Sequence, residues 1–125
     1  MYTQPAFRED DPVVLAELMR TARLATLVTQ TADGMLATPL PLEVEESEGA
    51  PQFLLGHLAK ANPQWQAPVV GEALAIFMGP DAYITPSWYE TKRETGKVVP
   101  TWNYAAVHAY GRSSSSPIPH GCSRR

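Results

Sequence analysis

Val14, Leu15, Leu18, Met19 and Ala22 fall at helical spacing, with Glu17, Arg20 and Arg23 elsewhere on the wheel. Asp11 followed by Pro12 supplies a cap and a proline suited to the first helical position. The stretch therefore predicts an amphipathic helix of about three turns behind an extended arm, Met1 to Asp10, that Phe7 could anchor. Ala25 to Gln30 (ATLVTQ) has strand composition, and Asp33-Gly34 is a strong hairpin signal that returns a second strand over Met35 to Val44. Pro39 and Pro41 lie two apart in that strand and withhold their donors on the same side, which predicts an edge or a bend. Backbone left unpaired there suits a docking ligand or subunit; a plain protected edge explains it equally well.

Glu45 to Pro51 reads as an acidic turn, and Gln52 to Leu58 (QFLLGHL) as a third strand in which Gly56 permits close approach. Asn62-Pro63 repeats the cap-plus-proline signal and opens a short helical turn carrying Trp65. Glu72 to Met78 (EALAIFM) predicts a buried central strand, continued by Tyr83 to Thr85 after a Gly79-Pro80 turn and broken at Pro86-Ser87. Glu90 to Thr95 predicts a helical turn closed by Gly96. Lys97 to Tyr110 is the last strand, bent early by Pro100. Along it Trp102, Tyr104, Ala106, His108 and Tyr110 share one face, and Thr101, Asn103, Ala105, Val107 and Ala109 the other. One helix followed by about six strands fits a small antiparallel barrel with helices at its rim.

The composition changes abruptly at GRSSSSPIPHGCSRR, so residues 1–111 read as one domain and 112–125 as a disordered or loosely draped tail. Apolar residues are 44% and charged residues 18% of the 125, a globular balance. With a net charge of −3 there is no cationic excess to neutralise a duplex, and Glu90 and Glu94 interrupt the one basic cluster, Lys92, Arg93 and Lys97. Direct DNA binding is therefore not the expectation. Cys122 is the only cysteine, so neither an internal disulfide nor a thiolate zinc cluster can form. The first residues lack the basic and apolar regions of a signal peptide, and no run is long enough for a membrane span. A cytoplasmic protein is the default reading.

The chemistry the residues permit is sparse. His57, His108 and His120 have no spacing that ties them to a serine or to one another, and the acidic residues gather in turns. His57, Lys60 and Asn62 lie between a strand end and a capped turn, an arrangement suited to an anion or merely to solvation. A protein of this kind that performs chemistry would take it from a cofactor. The aromatics concentrate between Gly79 and Tyr104, in a stretch that suits a pocket wall, an interface or a core.

At GHLAKANPQW (Gly56–Trp65), GPDAYITPSWY (Gly79–Tyr89) and GKVVPTWNYAAVHAYG (Gly96–Gly111) the chain resembles the PaiB family, the FMN-binding negative transcriptional regulators. The opening MYTQPAFRE and the hairpin ATLVTQTADG match its pattern in place and order. The resemblance implies a mainly β fold, the FMN-binding split barrel, usually a homodimer with flavin sites at the subunit interface. It implies that Thr38, Pro39, Leu40 and Pro41 run along the isoalloxazine ring. His57, Leu58, Lys60 and Asn62 would hold the FMN phosphate. The aromatic stretch then reads as the scaffold and dimer seam against which a flavin site is completed, with Trp102 and Asn103 as its residues that approach the ligand. The implied roles are flavin-dependent oxidoreductase or flavin-linked regulator, with a regulator acting without flavin chemistry as the alternative. After Gly111 the chain departs from the family pattern and looks like a truncated or frame-shifted copy, which also admits a barrel without a working site.

Overall fold

The computed structural model describes residues 1–88, 90, 96 and 99–117. The expected helical turn Glu90 to Thr95, the start of the last strand at Lys97, and the tail with His120 and Cys122 lie largely or wholly outside these residues. Asp11 caps helix α1 (Pro12–Thr21) as its sequence requires, its Oδ1 accepting from the Val13 amide at 2.9 Å. The helix turns Ala16 and Met19 inward, and Leu15, Leu18 and Ala22 pack beside them. Arg20, on its outer side, pairs with Glu46.

Two antiparallel sheets follow. Strands β1 (Ala25–Thr31), β2 (Gly34–Leu40), β5 (Ala73–Ile84) and β6 (Thr101–Gly111) form a four-stranded sheet in the order β2-β1-β5-β6. Strands β3 (Leu42–Ser47) and β4 (Ala50–Gly56) form a two-stranded ribbon. One face of the larger sheet supplies Ala25, Ala75, Phe77 and Val107 to the core; Met19 of α1 and Leu42, Val44 and Leu54 of the ribbon cover it. Met35, Met78 and Tyr110 stand on the opposite face, each more than half exposed.

Three expectations from the sequence need correction. The strand expected over Met35 to Val44 is two strands in two sheets, with Pro41 between them. A proline has no amide to donate and holds the preceding residue extended, so the chain leaves one ladder and enters another at that point. The acidic turn expected over Glu45 to Pro51 is mostly strand. The turn itself is only Glu48-Gly49, with φ of 54° and 79°, the paired positive values of a tight hairpin turn. Gly79-Pro80 is no turn: β5 runs through it for 12 residues, and the register with β6 shifts between Met78 and Asp81. A bulge is where a strand tolerates a proline.

Gly56 does mediate a close approach, and the approaching group is the chain's own bend. A Cβ there would lie 2.6 Å from Leu42 Cδ2 and 3.1 Å from the Pro41 carbonyl oxygen. Beyond β6, residues 112–117 carry no regular structure, and the Ser115 hydroxyl donates to the Trp65 carbonyl.

Candidate functional site

The site is assembled where the connection after β4 returns to β2. The Asn62 amide donates to the Ala59 carbonyl at 2.8 Å, which closes a turn around Lys60 and Ala61. Asn62 then caps the 3-10 turn Pro63–Trp65, its Oδ1 accepting from the Gln64 amide at 2.9 Å. Its other side-chain atom, Nδ2, donates to Thr38 Oγ1 at 2.9 Å. Both ends of the Asn62 side chain are thereby fixed, and the network itself settles which end is nitrogen. Because the Thr38 hydroxyl accepts from Asn62, its own proton is free to donate, and so is the second Asn62 Nδ2 proton.

Two neighbours hold this turn in place. The Gln64 side chain, 4% exposed, reaches down to the β1–β2 ladder. There its Nε2 donates to Leu27 O at 3.1 Å, Thr29 Oγ1 at 3.0 Å and Leu36 O at 3.3 Å. Its Oε1 is buried with no partner among the described residues. Trp65 Nε1 donates to the Lys60 carbonyl at 2.9 Å, which orients the Lys60 peptide. The sequence pointed to neither role. A glutamine and a tryptophan after Asn-Pro carry no signal that they reach a ladder 28 to 37 residues away or a carbonyl five residues back.

The residues singled out from sequence fall into separate groups. Thr38 and Asn62 are in direct contact, with His57 and Lys60 exposed on the same connection and Leu58 half-buried. Pro39 is exposed on the opposite face of β2 from Thr38, and Pro41 is exposed at the bend. Leu40 is 4% exposed, so its side chain belongs to the core and only its backbone is left for a ligand. Trp102 and Asn103 stand apart. Thr38 shares a row with Leu27, Ala75 and Ala109 across the sheet. Asn103 is six positions further along β6, about 14 Å across and about 20 Å along from that row. Trp102 lies on the other face of the strand; its ring packs against Tyr83 at 5.7 Å and its Nε1 donates to Asp81 at 3.2 Å.

The donors suit an oxyanion: a lysine ammonium, an imidazole and a fixed amide on the connection, and a hydroxyl with a free proton on β2. Among the described residues no group of three or more His, Cys, Asp or Glu side chains is placed to hold a metal. No helix among them is long and apolar enough to cross a membrane.

A helix-first, mainly β chain with antiparallel sheets and this turn beside β2 is a split barrel of the flavin-binding class. The chain belongs to the family described as "Putative FMN-binding domain", whose model matches residues 1–118. It is 35% identical over 115 residues to the protease synthase and sporulation protein PAI 2 of Bacillus subtilis, covering 91% of this chain and 53% of that protein. An uncharacterised protein of Emericella nidulans is 36% identical, over 90% of this chain and 55% of its own length. One from Saccharomyces cerevisiae is 39% identical over 62% of this chain and 47% of its own. The chain thus spans about half the length of the curated relatives it matches.

Proposed function

We propose that this chain binds FMN as a homodimer, with the phosphate on the His57–Asn62 connection and the ring along the Thr38–Pro41 segment. One observation carries the reading. The Asn62–Thr38 hydrogen bond joins the two segments to which phosphate and ring are assigned, across 24 residues of sequence. A ligand with an anionic end and a flat end spans such a junction naturally. Lys60 supplies charge to the phosphate, while His57, the Thr38 hydroxyl and the Asn62 amide supply directed hydrogen bonds. Leu40 keeps its side chain in the core and offers the ring only backbone. Bound FMN would supply one- and two-electron redox chemistry; the protein supplies binding and orientation.

Two roles follow from such a site, flavin-dependent oxidation or reduction and flavin-linked regulation. The name of the B. subtilis relative, with its reference to sporulation, favours regulation. The net charge of −3 favours regulation through a ligand or protein partner over direct contact with DNA. A visible absorbance spectrum of the purified protein, with an FMN thermal-shift titration, tests the reading. Flavin absorbance or a concentration-dependent rise in Tm supports it; a colourless protein with an unmoved Tm sinks it.

A further inference from the structure

Two contacts reveal which backbone groups of β2 turn toward β1. Gln64 Nε2 donates to Leu27 O at 3.1 Å and to Leu36 O at 3.3 Å. One nitrogen reaches both carbonyls only if both point into the gap between the strands, where Leu27 opposes Thr38 and Thr29 opposes Leu36. Gln30 agrees with this phase: opposite Met35, it turns its carbonyl away from β2 and accepts from the Val70 amide at 2.8 Å. Residues of an antiparallel pair alternate between bonded and non-bonded positions. Leu36, Thr38 and Leu40 therefore bond toward β1, while Met35, Ala37 and Pro39 present their backbone on the outer side. Within Thr38–Pro41 the two existing amides, of Thr38 and Leu40, are thus used by β1. The other two positions are prolines, which have no amide. Pro39 keeps only its carbonyl on the outer side, and the nearest outward amide is that of Ala37. Both proline side chains are exposed, so neither is there to fill the core.

We infer that Pro39 and Pro41 make this site bind reduced FMN in preference to oxidised FMN. The preference rests on the flavin reading for the ring's place along Thr38–Pro41, and adds to it a choice between oxidation states. Oxidised isoalloxazine carries acceptors along its polar edge, at N1, O2, O4 and N5, with N3–H as its one donor. Uptake of two electrons and two protons places hydrogen on N5 and N1, which turns acceptors into donors. A main chain that offers carbonyl and no amide sets lone pairs against the oxidised ring and accepts from the reduced one. A hydrogen bond made to one form alone favours that form. Groups beside the ring nitrogens are the means by which a protein tunes a flavin. A residue other than proline at position 39 would put an amide on the outer side and supply the donor that the oxidised ring needs. The missing amides are a property of the two residues and do not depend on what else lies alongside the strand.

Reductive titration of the FMN-loaded protein with dithionite, beside a reference dye, reads the preference as a midpoint potential. Reduced FMN is expected to bind at least about tenfold more tightly than oxidised FMN, which lifts the two-electron potential by about 30 mV or more over free FMN. Pro39→Ala returns an amide to the outer side and is expected to lower the potential toward that of free FMN while tightening the oxidised form. Ala37→Pro removes the nearest outward amide at a position that makes no ladder bond, and is expected to raise the potential further. Both variants are checked for native circular dichroism. A potential at or below that of free FMN, or one that neither substitution moves, would overturn the preference and leave FMN binding standing. A protein that binds neither form of FMN would overturn the flavin reading, and the preference with it.

Discussion

Asn62 holds Thr38 through a 2.9 Å hydrogen bond while its other end caps the turn that follows, so one side chain locks the Lys60 connection onto β2. Asn62→Ala removes both contacts. The lost cap costs about 1 kcal/mol of stability. The freed Thr38 and the loosened turn are expected to weaken FMN binding by about tenfold, on the order of 1.4 kcal/mol. Thr38→Val separates the two effects, since it keeps the cap and the shape but takes away the hydroxyl. It is expected to lower FMN affinity with a smaller fall in Tm than Asn62→Ala, and flavin fluorescence quenching beside a melting curve reads both.

Lys60 is exposed, and its carbonyl is held by the Trp65 indole, so the side chain is dispensable for the fold. Lys60→Ala is expected to weaken FMN binding by about 1.5–3 kcal/mol through loss of a charge-assisted contact. The loss should shrink as salt screens the attraction between the lysine and the phosphate. An unchanged affinity would remove Lys60 from the phosphate site.

Gln64 is buried, and its Nε2 serves two ladder carbonyls and the Thr29 hydroxyl. Thr29 itself is 2% exposed. Gln64→Leu keeps the bulk but strands these acceptors, and it is expected to cost about 1–3 kcal/mol in a chemical denaturation series. A neutral outcome would mean that the turn is held by Asn62 alone.

A methyl group at Gly56 would meet Leu42 Cδ2 at 2.6 Å and the Pro41 carbonyl oxygen at 3.1 Å. Gly56→Ala requires the Leu42 side chain to turn aside and the Pro41 carbonyl to yield by a few tenths of an ångström, and it is expected to destabilise the protein by about 1 kcal/mol. A drop in Tm with an unaltered far-ultraviolet spectrum is the expected signature.

Much of this fold was legible because its signals are local. Asp11-Pro12 announces α1, Asp33-Gly34 the first hairpin, and Asn62-Pro63 the capped turn, each through chemistry confined to a few residues. The second hairpin was hidden by its glutamates. Leu42 and Val44 alternate with Glu43 and Glu45 as a half-buried strand should, yet the acidic run reads as a loop until β4 is seen to pair with it. The bulge at Gly79-Pro80 was hidden for a related reason, since the same dipeptide makes a turn or a bulge according to what lies alongside. At the candidate site the segments around Thr38 and Asn62 were legible separately. Their contact, and the reach of Gln64 to β1 and β2, depend on how the connection folds back and have no local signature. Trp102 and Asn103 were singled out from the aromatic stretch, and β6 places them at the other end of the sheet from Thr38 of the same chain.

The proposed placement of the FMN phosphate on the Lys60 connection is tested most directly by paired calorimetric titrations with FMN and riboflavin. The two ligands share the ring and differ in the phosphate. The account predicts that FMN binds at least about tenfold tighter, a difference of roughly 1.4 kcal/mol or more, and that Lys60→Ala removes most of that margin. Equal affinities for FMN and riboflavin, or a margin untouched by Lys60→Ala, would contradict it.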